Sequence, residues 1–354
     1  MNITAPLHLR RLALATLLSL AASIPAFALK YAPVEHQLKA DPAIPAWQPG
    51  KVESVPEEEL NLVGADIMDE ITLGWVKIFR QAYPRLSVTM QARSSGSGVP
   101  ALTEGIAHLA PVGREVMPAE REGFVKKFGY EPFAIKVATG SLGSLGKTAT
   151  SIMLVAKDNP IKGLTFAQIE AIYAKEPKRG LAPAKTWGDL GLTGKWKDVP
   201  IHPYGLKPPN GIEQFVKWKV LNWGDWREGI QNVKGQGFTH AFTVASNDMR
   251  TQLGGVTYAL LANLTPDVRV VPLAVKDGDP FIMPTIETVY HHTYPLSRYV
   301  YIYINRKPGT ALEPKMKEFL KAVLSKQGQD VVAAEGVFMP LRPEVVQEEL
   351  AKLE

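Results

Sequence analysis

Arg93-Ser94-Ser95-Gly96-Ser97-Gly98 is the stretch on which the reading of this chain turns. Leu86 to Ala92, just before it, places apolar side chains at Leu86, Val88 and Met90, the period of a strand. Val99 to Leu109, just after it, reads as a helix. A strand that breaks into Ser and Gly and then enters a helix makes an anion cradle. Small residues let the backbone approach a ligand, the first-turn N–H groups of the helix have no internal partner, and the dipole adds partial positive charge there. Ser hydroxyls add donors that rotate to suit. The same residues also fit an ordinary Ser/Gly loop ending in a Ser cap, so the surrounding chain decides between the two.

Towards the N-terminus, Arg10 and Arg11 precede an apolar run from Leu12 to Ile24, followed by Pro25-Ala26-Phe27-Ala28. The run is too short for a membrane span, and the A-x-A pattern marks a secretory signal peptide, so cleavage after Ala28 and export to a bacterial periplasm are expected. The chain has no Cys, which excludes lipid anchoring at a processed Cys, disulfides and thiolate metal sites. What remains of the 354 residues suits two lobes better than one core. The formal net charge is +5, of which Arg10 and Arg11 supply two. Basic and acidic residues are interspersed, without a nucleic-acid footprint, and the small excess is compatible with an anionic ligand. Residues 29–58, rich in Pro and charge, read as an N-terminal extension on the surface or partly mobile.

From Glu59 the pattern is α/β. Leu60 to Val63 is a short strand ending at Gly64-Ala65-Asp66, and the helix after it carries Met68, Ile71, Trp75, Val76 and Phe79 before Pro84 stops it. His108 to Val112 is a buried strand ending at Gly113-Arg114, and Pro118 opens another helix. Strands alternating with helices indicate a mostly parallel sheet, in which ligands sit at the carboxyl ends of the strands. Phe133–Val137 and Ser151–Ala156 read as extended around a Gly-rich joint. Beyond it, Val199 to Tyr204 runs into Gly205-Leu206-Lys207-Pro208-Pro209-Asn210-Gly211-Ile212 and a helix, repeating the strand, small-residue loop and helix of the first cradle.

Catalytic and metal patterns are thin. Gly146-Lys147-Thr148 lacks the first Gly of a phosphate loop, where Ser141 stands, and leads into a β-branched segment. His291-His292 reads as part of a strand, pointing to opposite faces and unable to chelate one ion. No Ser occupies a nucleophile elbow. Arg114 is either a ligand cation at a strand end or a surface residue paired with Glu115 or Glu120. Asp66 is either a helix cap or an acceptor for a proton-bearing oxygen of an oxyanion.

With these residues placed, the chain resembles the periplasmic phosphate-binding proteins of ABC importers, the type II solute-binding class, from roughly Leu60 to Leu341. The resemblance is carried by Gly64-Ala65-Asp66 leading to Trp75 and Tyr83-Pro84, by Ser95-Gly96-Ser97-Gly98 with Leu102-Thr103-Glu104-Gly105, and by Gly113-Arg114 with Glu120. Asp158-Asn159-Pro160, Thr186-Trp187-Gly188-Asp189-Leu190, Tyr294-Pro295-Leu296-Ser297-Arg298 and Leu324-Ser325-Lys326-Gln327-Gly328-Gln329 follow in the same order. It implies an α/β, two-lobed periplasmic-binding-protein fold with residues 59–140 and 295–354 in one lobe and 150–292 in the other, joined by two crossing strands near Val137–Ser151 and His292–Arg298. It also implies a monomer that is not an enzyme, needs no cofactor, and hands a small oxyanion, phosphate first, to an ABC permease in the inner membrane.

The ligand set implied by the resemblance is Asp66, Ile67, Ser95, Gly96, Ser97, Gly98, Gly113, Arg114, Lys207, Asn210, Gly211 and Ile212. It departs from the family most in the second lobe, where Leu206…Asn210-Gly211-Ile212 replaces Arg…Ser-Gly-Thr and leaves Lys207 or Arg114 to supply the cation. Each charged hydrogen bond removed from such a site costs about 1.5–3 kcal/mol, so the departure opens a second expectation, a binding-protein fold reused as a scaffold or adhesin with a degenerate site.

Overall fold

The computed structural model describes residues 38–51, 59–144, 147–206, 211–232 and 238–354. The first β-α unit is β1 (Leu60–Gly64) and α1 (Asp69–Ala82), joined by a short 3-10 turn over Asp66–Met68. Asp69 and Glu70 sit in the first turn of α1 and Arg80 in its last, as the helix dipole favours, while Ile71, Trp75, Val76 and Phe79 form its buried stripe. β2 (Val88–Ala92) leads through Arg93 and Ser94 into α2 (Ser95–Thr103), and β3 (Leu109–Val112) leads into α3 (Pro118–Phe128). β4 (Phe133–Thr139) runs to the joint.

Past the joint come β5 (Ile152–Ala156), β6 (Leu164–Thr165) and α4 (Phe166–Tyr173), whose Thr165 cap accepts from the Gln168 N–H at 3.2 Å. Next are β7 (His202–Gly205), α5 (Gly211–Lys219), β8 (Gln231–Asn232), α6 (Phe238–Asp248), β9 (Gly255–Ala259), β10 (Val268–Val271), β11 (Leu273–Ala274) and α7 (Ile286–Tyr290). The chain then returns as β12 (Tyr299–Ile304) and closes with α8 (Pro314–Leu324), α9 (Lys326–Glu335) and α10 (Pro343–Ala351).

Two five-stranded sheets result, in the orders β2-β1-β3-β12-β4 and β10-β5-β9-β7-β8. β1, β2 and β3 are mutually parallel, and β12 lies antiparallel between β3 and β4, with Tyr299 opposite Thr139 and Tyr301 opposite Val112. In the second sheet β7 and β9 are parallel, and β5 runs against β9 with Ile152 opposite Ala259. The carboxyl ends of β1, β2, β3 and β4 therefore share one edge with the start of β12. The carboxyl ends of β7 and β9 share an edge with the start of β5. Residues 140–151 and 291–298 link the two edges.

Of the extension read as surface-lying or mobile, residues 38–51 are instead part of the fold. Ala40 and Ile44 are buried in the core of the first sheet. Trp47 stacks on Phe79 with ring centroids 5.8 Å apart and donates its Nε1–H to Glu318, and its backbone N–H donates to Gln327 Oε1 at 2.9 Å. Three apolar anchors suffice to dock a segment whose overall composition is Pro-rich and charged. His291 and His292 also depart from the strand reading. His291 closes α7, and His292 adopts a left-handed backbone, φ 53°, in the second link.

Candidate anion site between the two sheets

A cavity of about 240 Å³ opens where the two sheet edges face each other. Ile67 from the turn after β1, Ser95 at the start of α2, and Gly113 and Arg114 after β3 line it from the first sheet. Gly211 and Ile212 at the start of α5 and Leu260 after β9 line it from the second. Thr148 and Ala149 come from the first link and Arg298 from the end of the second. Six of the residues expected from sequence thus meet in one place: Ile67, Ser95, Gly113, Arg114, Gly211 and Ile212.

The others are placed differently. Asp66 turns its carboxylate back on the backbone, Oδ1 accepting the Ile67 N–H at 3.0 Å, and does not line the cavity. It is not the cap of α1 either, since that cap is Met68 and makes no side-chain hydrogen bond. Gly96 lies beside the Arg114 guanidinium. Ser97 is half-buried and turned on its own chain, its hydroxyl donating to the Ser94 carbonyl at 2.8 Å. Gly98 is a packing residue, because a Cβ there would stand 2.7 Å from Val112 and 3.1 Å from Ala110. Lys207 and Asn210 lie outside the described residues.

Thr148, Ala149, Leu260 and Arg298 are lining residues that the sequence reading passed over as ligands. Thr148 holds a left-handed φ of 52° and is buried, its hydroxyl donating to the Gly113 carbonyl at 2.6 Å. Its neighbour Lys147 contacts Glu335 at 3.1 Å and donates to the Ile67 carbonyl at 3.1 Å, which pins the first link to the first sheet. Arg298 could have been found only through Leu296-Ser297-Arg298, already part of the family pattern but without an assigned role.

The two arginines differ in their commitments. Arg114 forks onto Glu120, Nη1 to Oε2 at 3.0 Å and Nη2 to Oε1 at 2.6 Å, and Nη1 also donates to the Glu115 carbonyl at 2.9 Å. Arg298 is 5% exposed, donates from Nη2 to Glu115 Oε2 at 2.9 Å, and lies 4.4 Å from the centroid of the Phe215 ring on α5. Beside the links, His292 stacks on Tyr299 with centroids 3.7 Å apart and shares a 3.2 Å hydrogen bond with the Thr139 hydroxyl. Burial above all, and then the positive charges of Arg342, Lys136 and Lys219, push its pKa down to about 3.

No group of three or more His, Cys, Asp or Glu residues suited to a metal ion occurs among the described residues, and no described helix is long and apolar enough to cross a membrane. A family model described as the PBP superfamily domain matches residues 51–327. The phosphate-binding protein PstS of Pseudomonas aeruginosa is 36% identical over 314 residues, covering 88% of this chain and 91% of that protein. Among solved structures, PstS from Borrelia burgdorferi superposes with a TM-score of 0.53 at 16% identity, covering 80% of this chain and 99% of that one. An ABC-type phosphate transport receptor from Vibrio cholerae gives 0.50 at 16% identity, covering 79% and 99%.

Proposed function

We propose that this chain, which belongs to the PBP superfamily and within it to the PstS phosphate-binding proteins, captures inorganic phosphate in the cavity between its two sheets. The observation that carries the reading is the convergence, around that cavity, of two helix starts at Ser95 and Gly211 with two arginines, Arg114 and Arg298. Backbone N–H groups at the helix starts and the Ser95 hydroxyl supply neutral donors, and an arginine supplies charge. The ligand residues in this reading are Ile67, Ser95, Gly113, Gly211, Ile212 and Thr148, with one of the two arginines as the cation.

Residues 59–140 with 295–354 and residues 150–292 act as lobes that close on the anion about the two links, the hinge type of domain motion. The leader directs the protein to the periplasm, and the closed form presents phosphate to an ABC permease. The fold works as a carrier, with no catalytic step asked of it. Calorimetric titration of the protein lacking residues 1–28 with phosphate and with sulfate tests this. Heat with phosphate at submillimolar concentration is expected, and no heat at that concentration overturns the reading.

A further inference from the structure

We infer that Arg298, delivered by the second link, is the cation that holds the anion, with Glu115 and Phe215 as its positioning residues and Arg114 a structural clamp. This inference rests on the phosphate reading above. Both arginines line the cavity, so the question is which has donors left to give. A guanidinium carries five N–H donors in a rigid fork. Arg114 is committed to three acceptors, two of them the oxygens of one carboxylate in the bidentate arrangement that gives both energy and geometry. Glu120 is fixed in turn, since its Oε2 also accepts the Met117 N–H at 2.9 Å. An oxyanion reaching Arg114 would have to displace a carboxylate already in place.

Arg298 is built the other way. Its side chain is almost wholly buried, it meets a single carboxylate oxygen, and its Nε–H is buried with no acceptor among the described residues. A buried charged donor without an acceptor carries a desolvation penalty that an incoming anion removes. The group is also steered from both sides of the cavity. Glu115, from the segment after β3, holds one edge of the fork. Phe215 stacks on its face from α5, the helix whose own first residues, Gly211 and Ile212, line the cavity. The Arg298 carbonyl accepts the Gly140 N–H at 2.9 Å, so its backbone stands where the two links touch. An anion on this guanidinium is therefore tied to the first sheet, to α5 and to both links through one side chain.

The test is a calorimetric titration with inorganic phosphate, over a range of salt concentrations, of the unsubstituted protein and of Arg298→Gln, Arg298→Lys, Arg114→Gln, Glu115→Gln and Phe215→Leu. Arg298→Gln is expected to weaken binding about 100-fold and to flatten its salt dependence, and Arg298→Lys to lose about 10-fold while keeping the salt dependence. Arg114→Gln is expected to lower the melting temperature while leaving affinity within about threefold and the salt dependence unchanged, because the clamp supports the loop rather than the ligand. Glu115→Gln and Phe215→Leu should each cost about 3–10-fold in affinity with the salt dependence kept, since the charge remains and only its placement slackens. Should Arg298→Gln fail to fold, the contrast between Arg298→Lys and Arg114→Gln decides. Phosphate bound equally well by the unsubstituted protein and by the Arg298 variants, or lost on Arg114→Gln instead, overturns this inference and leaves the phosphate reading standing. No phosphate uptake by the unsubstituted protein overturns both.

Discussion

The two cradles look alike in sequence and differ in what they offer an anion. In the first, β2 gives way to α2, whose opening turn is Ser95-Gly96-Ser97-Gly98 with no acidic residue of its own, the nearby Glu120 carboxylate being clamped by Arg114. In the second, β7 gives way to α5, whose first turn carries Glu213, 1% exposed and bonded to the Trp226 indole N–H and to Gln214. That carboxylate already takes up the favourable end of the α5 dipole. The strand before it is tied into aromatic packing, the Leu206 N–H donating to the Tyr258 hydroxyl at 2.8 Å and Tyr258 stacking on Trp226. The first turn of α2 adds no carboxylate, whereas that of α5 adds one. A strand, small-residue loop and helix therefore favours an external anion more where the first turn of the helix adds no carboxylate.

The largest effect that would break this contrast comes from adding a carboxylate to each helix start. Ser95→Asp is expected to weaken phosphate binding roughly 1,000-fold, since two like charges about 4 Å apart near a protein surface repel by about 4 kcal/mol. It should leave the melting temperature unchanged or higher, because an acidic residue in the first turn favours the helix by about 0.3–1 kcal/mol. Gly211→Asp, beside Glu213, is expected to cost only about 10-fold. Equal losses in calorimetry would erase the distinction between the cradles.

A second test sets both cradles against the links. His292 stays neutral in the fold down to about pH 3, while the unfolded chain takes up its proton near the ordinary value of 6.5. The favourable contribution of the neutral ring is therefore complete above about pH 6.5 and is lost as pH falls through the window from 6.5 towards 3, at about 1.4 kcal/mol per pH unit. Urea unfolding at pH 7.5 and 4.5 should show His292→Asn, a residue that tolerates the left-handed backbone, losing about 2 kcal/mol less on acidification than the unsubstituted protein. An identical acid loss in the two proteins would place the pH dependence elsewhere. The smallest expected effect is that of Asp66→Asn. With its carboxylate spent on the Ile67 N–H and turned from the cavity, the change should move phosphate affinity less than about threefold and move sulfate equally. A selective loss of phosphate would restore Asp66 to the site.

The first sheet was legible because its chemistry is local. Each strand end of β1, β2 and β3 is followed within a few residues by the helix that marks it, and Ser95, Gly113 and Arg114 fall at those ends. Asp66 misled because a strand-end carboxylate looks the same whether it faces a ligand or its own backbone. Arg298 was not legible as a ligand residue because its partner Glu115 is 183 positions away and the two meet only once β12 inserts beside β3. Thr148 was hidden by its surroundings, since a Gly-Lys-Thr run invites comparison with a nucleotide loop, whereas its place comes from a left-handed turn in the first link. Ala40, Ile44 and Trp47 escaped because composition averages over a segment, and docking needs only the right three side chains.

The docking of residues 38–51 has a consequence for the order in which the molecule can be assembled. Trp47 and Gly50 find their acceptors on Glu318 and Gln327, at sequence separations of 268 to 280 residues, and Pro45 accepts the Lys326 N–H. β12 likewise supplies the only bridge between β3 and β4 within the first sheet. The earliest part of the described chain can stack on Phe79 early but gains its hydrogen bonds to Glu318 and Gln327 only when nearly the last part is present, and β4 joins the first sheet only through β12. Contacts of such long sequence range form late, after the loop they close has been ordered. A chain synthesised from its N-terminus therefore completes its first sheet only when nearly all of it is available, because the contacts between the two chain ends close the longest loop in that half of the fold.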